Sequence, residues 1–498
     1  MSVHKFLKTL KTVKKASLPH PSFKSILENP NQEIANTIFK TLITSGSQSL
    51  LTTNTSLLSD LNPPTLHFIL SNRHLNTHKC LDFFNFLLKN QSLIPFKPDL
   101  GVHLTLICRL LVSRKFTDAE NLLKSVSIDE NLRYPFAVIA STIEDFCDDT
   151  KVIGKLFNSI FKVYSDSGLF NEALEAFNHM KNNGIEINER TCTVHLIALK
   201  WSDQVGLALE FFYRMLESGI KISVYSLTVV VDGLCRNGEI KRGREFMEEM
   251  AGKGIKPDII TCNILIAACT KRWNFGELDL VLLLMEKEGV AFNVSTYKFL
   301  VDGFLSSGKI EEAERMVLEM HDKSLKVDVY LYTLVINGYC RLGNMKSAFS
   351  LFDRMTERGL NPNVDTYGTL INGLSKAGDM EAAKALVNAM QNKGIELDEV
   401  VFNTLIEGYC TKGLLDEALE VLVVMENKGF NADICVYDIM VSELCKLNRT
   451  EEAKRLLNKM VKRGITPNIV SFTNLDDGIG FCGSEEGVFQ DGEKGGVS

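Results

Sequence analysis

A methionine returns every 35 residues in this chain, at Met180, Met215, Met250, Met285, Met320, Met355, Met390, Met425 and Met460, without one slip of register. A single inserted residue would break that series, so the chain repeats one supersecondary unit, and a period of roughly 20 to 50 residues is that of stacked arrays. A short polar residue ahead of a Val/Ile/Tyr-rich stretch keeps the same spacing: Asn188, Ser223, Asp258, Asn293, Asp328, Asn363, Asp398, Asp433 and Asn468. Numbering each unit 1 to 35 so that it ends on these residues, nine full repeats fill 154–468.

Position 31 is glycine in eight repeats (Gly184, Gly219, Gly254, Gly289, Gly359, Gly394, Gly429, Gly464), with Ser324 the exception. Four residues past the core methionine, a glycine suits a helix end that needs positive φ. Position 15 is glycine in six repeats and divides each unit into two short helices. The first is typified by Tyr367–Leu374 and the second by Glu311–Met320, in which Ala313 and its counterparts Ala173, Ala208, Ala348, Ala383, Ala418 and Ala453 mark a close-packing position. One hairpin cannot bury both faces of its helices, whereas hairpins stacked in register bury them continuously. The expected fold is therefore all-α: antiparallel helical hairpins stacked into a solenoid superhelix with an inner and an outer face.

The 498 residues exceed what one compact core accommodates, and 45 % apolar content allows extensive burial. Upstream of the array, Leu106–Leu110 with Asp118–Ala119 has the internal spacing of a degenerate repeat starting at Leu100, out of phase with the rest, and 65–99 resembles a weaker one. The expected organisation is a targeting segment over 1–30, an N-terminal helical region over 31–99, a degenerate repeat and connection over 100–153, the array over 154–468, and a truncated repeat with a disordered Gly-rich acidic tail over 469–498. The targeting expectation rests on Lys5, Lys8, Lys11, Lys14, Lys15 and Lys24, with no acidic residue before Glu28 and no central apolar stretch. No apolar run of about 18 residues appears, so no membrane span is expected.

A net charge of -7 excludes a surface that is basic throughout but leaves room for a basic groove. Twelve cysteines form no CxxC pair, and Cys235, Cys340, Cys410 and Cys445 share one repeat position. They read as small buried apolar groups in a reducing compartment, with no disulfide frame and no metal site.

Two segments carry a family resemblance. Asn363-Val-Asp-Thr-Tyr-Gly-Thr-Leu-Ile-Asn-Gly-Leu374, followed by Ala377-Gly378, and Glu399-Val-Val-Phe-Asn-Thr-Leu-Ile-Glu-Gly-Tyr-Cys410 both resemble the pentatricopeptide repeat. The tetratricopeptide repeat has a 34-residue period and a Trp/Tyr signature, neither of which is present. The resemblance extends over nearly two thirds of the chain and points to the P subfamily of pure 35-residue repeats. It implies a right-handed α-solenoid superhelix and an organellar protein that binds single-stranded RNA, one base per repeat, through positions 5 and 35.

On that resemblance the reading pairs are Asn158 with Asn188, Thr193 with Ser223, Thr228 with Asp258, Asn263 with Asn293, and Lys298 with Asp328. The remainder are Thr333 with Asn363, Gly368 with Asp398, Asn403 with Asp433, and Asp438 with Asn468. The family's rules assign G to Thr228/Asp258, A to Thr333/Asn363, U to Asn403/Asp433 and a pyrimidine to both Asn/Asn pairs. Thr193/Ser223, Lys298/Asp328, Gly368/Asp398 and Asp438/Asn468 depart from the common pairs and are assigned no base. At position 2 the family uses an apolar side chain to sandwich the base, which Ile260 and Val400 fit and Lys155, Arg190 and Asp365 do not.

Physical chemistry offers a second role for position 35, because Asn, Asp and Ser at these places also cap helices. Position 5 lies inside the helix, where Asn and Thr are poor formers, and its variability within a fixed frame points to reading. At position 13, Arg236, Lys271, Arg341, Lys376 and Lys446 form either a stripe that neutralises RNA phosphates or pairs for the helix dipole.

None of the nine histidines stands in HxE or HExxH spacing, and neither a Walker loop nor a GxSxG elbow occurs. The expectation is a protein without catalytic residues, metal or cofactor. It would act by occupying RNA in a mitochondrion, or alternatively a chloroplast, in processing, stabilisation or translation. The expected partners are single-stranded RNA and organellar ribosome or RNA-processing proteins, with no membrane association and a monomeric state. The competing reading is a structural or scaffold subunit, for example ribosome-associated, holding a protein or rRNA element in the groove.

Overall fold

A computed structural model describes residues 31–53, 55–129, 133–147 and 149–467. The targeting segment expected over 1–30, the tail over 469–498 and Asn468 lie outside the described residues. Among the described residues the regular structure is helical, with no strand. The chain divides into two compact bodies, Met1–Leu265 and Ile266–Ser498.

Every described helix of the array follows from the repeat register. First helices begin at position 1, as in Glu189–Trp201, Val224–Arg236, Val329–Arg341 and Glu399–Thr411, each immediately after its polar residue. Second helices begin at position 17, as in Ile240–Gly252 and Ile310–Asp322. The leading helix of the first repeat is longer, Thr150–Asp166, because Asp149 caps it early by accepting from the Lys151 and Val152 N–H groups.

The two turns of each hairpin require left-handed backbone. All nine residues at position 15 and all nine at position 31 have φ between 54° and 89°, whether glycine or not. Asp203, Trp273, Ser324 and Asn448 adopt it with a side chain, which costs roughly 1–2 kcal/mol each. The turn geometry is thus set by packing of the two helices, and glycine relieves its cost where present.

The nine recurring methionines are all 0 % exposed. Around Met320, Met355, Met390, Met425 and Met460 the second body packs Tyr297, Tyr332, Tyr367, Phe402 and Tyr437 from position 4, all essentially buried, with the small residues Ala313, Ala348, Ala383 and Ala418 letting the paired helices approach. At position 10 of the seventh repeat, a Cβ on Gly373 would stand 2.8 Å from both Cys340 Sγ and Met345 Sδ, so a side chain there would have to displace them.

Upstream, Leu100–Val112 and Phe116–Ser127 form a hairpin with the same features. Asp99 caps its first helix through Val102 N–H, and Arg114 takes the left-handed turn at φ 60°. Arg109 ties the hairpin to the preceding helix by donating to the Leu70, Asn72 and Leu75 carbonyls.

The cysteines among the described residues are thiols, and all but Cys435 are buried. Burial pushes the Cys340 thiol up to about 11 and the Cys410 thiol up to about 12, so both stay protonated. Among the described residues no helix is long and apolar enough to cross a membrane, and no group of three His, Cys, Asp or Glu could hold a metal ion.

Candidate nucleic-acid interface

The N-terminus of each first helix gathers the residues singled out in the sequence. At position 35, one oxygen of each described side chain accepts a first-turn backbone N–H: Asn188 from Arg190, Ser223 from Ser226, Asp258 from Thr261, Asn293 from Thr296, Asp328 from Leu331, Asn363 from Thr366, Asp398 from Val401 and Asp433 from Val436, at 2.8–3.4 Å. Capping is therefore what these groups do in the folded chain, and each cap contributes about 1 kcal/mol.

At Asp328 and Asp433, capping uses one carboxylate oxygen and leaves the other toward position 5 of the same repeat. Asn403 Nδ2 donates to Asp433 Oδ2 at 3.2 Å, and Lys298 Nζ stands 3.0 Å from Asp328 Oδ2. Asn158 Oδ1 accepts from the Asn188 backbone N–H at 2.9 Å, while its amide donates to the Gly154 and Glu186 carbonyls. In those three repeats the structure brings the two positions together directly.

Where position 5 is threonine the link is indirect. Thr193, Thr228 and Thr333 each reach a hydroxyl at position 3 of the next repeat, on Ser226, Thr261 and Thr366, at 2.7–2.8 Å. In the second repeat Glu189 Oε1 draws in the Ser223 and Ser226 hydroxyls at 2.6 and 2.7 Å, with Thr193 Oγ1 at 3.2 Å. Burial opposes its ionisation, but those donors outweigh burial and hold the Glu189 carboxyl below its ordinary value. The hydroxyls of Thr193 and Ser223 are thus both engaged by one carboxylate.

Asn263 is 8 % exposed. Gly368 offers no side chain, and a Cβ there would meet Val401 Cγ2 at 3.2 Å. Asp438 is half-buried within Ile434–Lys446.

Position 2 projects outward. Ile260 and Val400 are 60 % and 68 % exposed, and so are Tyr225 and Tyr330 at 61 % each. The two tyrosines were not singled out in the sequence, although the repeat register alone places them; large apolar faces held in solvent beside polar pairs suit the stacking of flat rings.

The position 13 cations Arg236, Lys271, Arg341, Lys376 and Lys446 are all exposed. Two are already engaged: Lys446 Nζ lies 2.6 Å from Glu443, and Arg236 Nε lies 3.1 Å from Asp232 Oδ2 with its guanidinium 4.7 Å from the centre of the Trp201 ring. Lys200 reaches the same carboxylate at 2.9 Å.

Stacked helical hairpins with polar side chains gathered at the start of their first helices define a helical-repeat protein. A model of the PPR repeat family matches residues 155–200, 226–271, 292–341, 327–376, 397–446 and 432–479, more than half of the chain, and the PPR repeat matches 260–290 and 365–395. The chain belongs to the pentatricopeptide repeat family.

It is 42 % identical over 186 residues to one pentatricopeptide repeat-containing protein of Arabidopsis thaliana, covering 36 % of this chain and 29 % of that one. To a second, named mitochondrial, it is 27 % identical over 130 residues, covering 26 % and 24 %. The matches thus span less than a third of either relative. Among solved structures it is similar to the pentatricopeptide repeat protein PPR10 from maize (17 % identity, TM-score 0.41, 91 % of this chain and 77 % of that one). It is also similar to PPR10 in complex with an 18-nt psaJ RNA element (18 % identity, TM-score 0.35, 90 % and 78 %).

Proposed function

We propose that the chain is a sequence-selective single-stranded RNA-binding protein of an organelle that acts by occupancy in RNA processing, stabilisation or translation. The observation that carries this reading is the convergence of positions 5 and 35 at the start of the inner helix, as in Asn403 with Asp433 at 3.2 Å. A flat base stacked on an exposed Tyr225, Ile260, Tyr330 or Val400 would set its edge against such a pair. Repeats over 154–468 form the reading array, segment 1–30 directs import, and no catalytic residue takes part. The compartment is the mitochondrion, with the chloroplast as alternative, and the protein works as a monomer alongside ribosomal or processing proteins.

The test is fluorescence anisotropy of the full chain with a nine-nucleotide RNA carrying, from the 5′ end, a pyrimidine, G, pyrimidine, A and U at positions one, three, four, six and eight. Tighter binding than to a scrambled RNA, weakening as salt rises, supports the reading; equal binding of both sinks it. The second reading, a scaffold holding a protein or rRNA element, is favoured by Lys298 and Asp328 being satisfied by each other.

A further inference from the structure

In the third and sixth repeats the reading side chains are joined through a hydroxyl that no base can touch. Thr228 Oγ1 lies 2.7 Å from Thr261 Oγ1, which donates to Asp258 Oδ1 at 2.8 Å. The sixth repeat repeats the arrangement: Thr333 Oγ1 lies 2.8 Å from Thr366 Oγ1, which donates to Asn363 Oδ1 at 2.8 Å. Thr261 and Thr366 are both 0 % exposed.

The number of protons decides what these chains present. A hydroxyl carries one proton and two lone pairs. Thr261 donates its proton to the Asp258 carboxylate, a charge-assisted bond stronger than a neutral one, and so offers Thr228 only a lone pair. Thr228 must then donate to Thr261. The Val224 carbonyl, 2.9 Å from Thr228 Oγ1, is a second internal acceptor for the same proton, as the Val329 carbonyl is for Thr333. What remains of Thr228 toward the groove is an oxygen that accepts and does not donate. The same count holds for Thr333, since Asn363 Oδ1 is an acceptor fixed by the Thr366 N–H at 3.0 Å.

We infer that Thr261 and Thr366 are positioning residues for base selection: by holding the hydroxyl protons of Thr228 and Thr333, they make both read only base edges that present an N–H. Without them each threonine could turn its proton to the groove and also accept a base edge bearing a lone pair, so selectivity relaxes. The position 5 threonines Thr193, Thr228 and Thr333 are each followed by a hydroxyl, on Ser226, Thr261 and Thr366, as Asn158 and Asn263 are by Thr191 and Thr296, whereas Lys298, Gly368 and Asn403 are followed by Leu331, Val401 and Val436 at the same place. In the second repeat the chain ends on Glu189 instead of position 35, Ser226 donating to it at 2.7 Å.

This inference rests on the RNA-reading proposal, and its test separates the two. The full-length protein and its variants Thr261→Val and Thr261→Ser are titrated by anisotropy against four RNAs that differ only at the third nucleotide, and against one abasic there. Thr261→Val removes the hydroxyl at nearly constant volume; it is expected to reduce the preference among the four bases by about fivefold, the worth of one hydrogen bond. Binding of the abasic RNA should be unchanged, and Thr261→Ser should restore the preference. Undiminished preference in Thr261→Val, or failure of Thr261→Ser to restore it, overturns the inference while the RNA-reading proposal stands. A wild-type protein with no preference at that nucleotide brings down both. Should Thr261→Val lose its helical circular dichroism, Thr366→Val and Thr366→Ser at the sixth nucleotide decide the question by the same criteria.

Discussion

Lys298 and Asp328 lie 30 residues apart in sequence and hold each other at 3.0 Å across the start of two successive first helices, each side chain about two-fifths exposed. This is the geometry of the Asn403/Asp433 pair with an ammonium in place of an amide. An ammonium only donates, and here one of its protons is already held by Asp328, whereas an amide both donates and accepts.

Replacing that ammonium should therefore create selectivity. Lys298→Asn is expected to give the fifth nucleotide a preference for U of about 1 kcal/mol, roughly fivefold, where none is expected of the parent. Anisotropy against RNAs differing only at the fifth nucleotide measures this, and no gain of preference in a folded variant refutes it.

The exposed cations Lys271, Arg341 and Lys376 bear on affinity rather than selectivity. Changing all three to alanine should weaken every RNA by a similar factor and reduce the slope of log affinity against log salt by about 2, at roughly 0.7 per phosphate contact. An unchanged slope assigns these cations to the helix dipole.

Met320 is 0 % exposed within a cluster with Tyr297, Val317, Tyr332 and Val335. Met320→Ala should lower stability by about 2–5 kcal/mol, read as a fall in urea midpoint. A much smaller loss would mean that neighbouring side chains close the cavity.

Ser324 takes the left-handed turn at φ 56°. Ser324→Gly removes a strain of roughly 1–2 kcal/mol and adds back part of it as chain entropy, for a net gain of about 0.5–1 kcal/mol. Gly394→Ala, at φ 75° in the equivalent turn of a later repeat, should move the urea midpoint the other way.

His195 is 3 % exposed, its Nδ1 lies 2.8 Å from Ser165 Oγ, and its ring packs on Phe161 and Phe211. Burial lowers its pKa from 6.5 to about 4. The folded state thus binds this proton more weakly than the unfolded one. Stability is complete above pH 6.5 and declines as pH falls toward 4, by roughly 3 kcal/mol in all. Urea midpoints from pH 7 to pH 4 should fall more steeply for the parent than for His195→Phe; parallel curves would exclude His195 as the cause.

Much of this was legible in the residues. The unbroken 35-residue return of methionine determines the stacked hairpins, because only one helical arrangement buries a residue at the same place nine times. Asn, Asp and Ser at position 35 determine where the inner helices begin, since a side-chain oxygen there satisfies a first-turn N–H whatever the rest of the fold does. Those are local rules, and a linear pattern carries them. Tertiary structure alone decided that Trp273 and Asp203 adopt the left-handed turn without glycine, because the closing of two packed helices overrides a residue's own preference. It alone decided that Glu189 engages both Thr193 and Ser223, and that Thr228 meets Thr261 across 33 residues. Hydrogen bonds have direction and a fixed supply of protons, so what a reading side chain offers depends on which neighbour the stacking places within 3 Å, and that distance exists only in the folded chain.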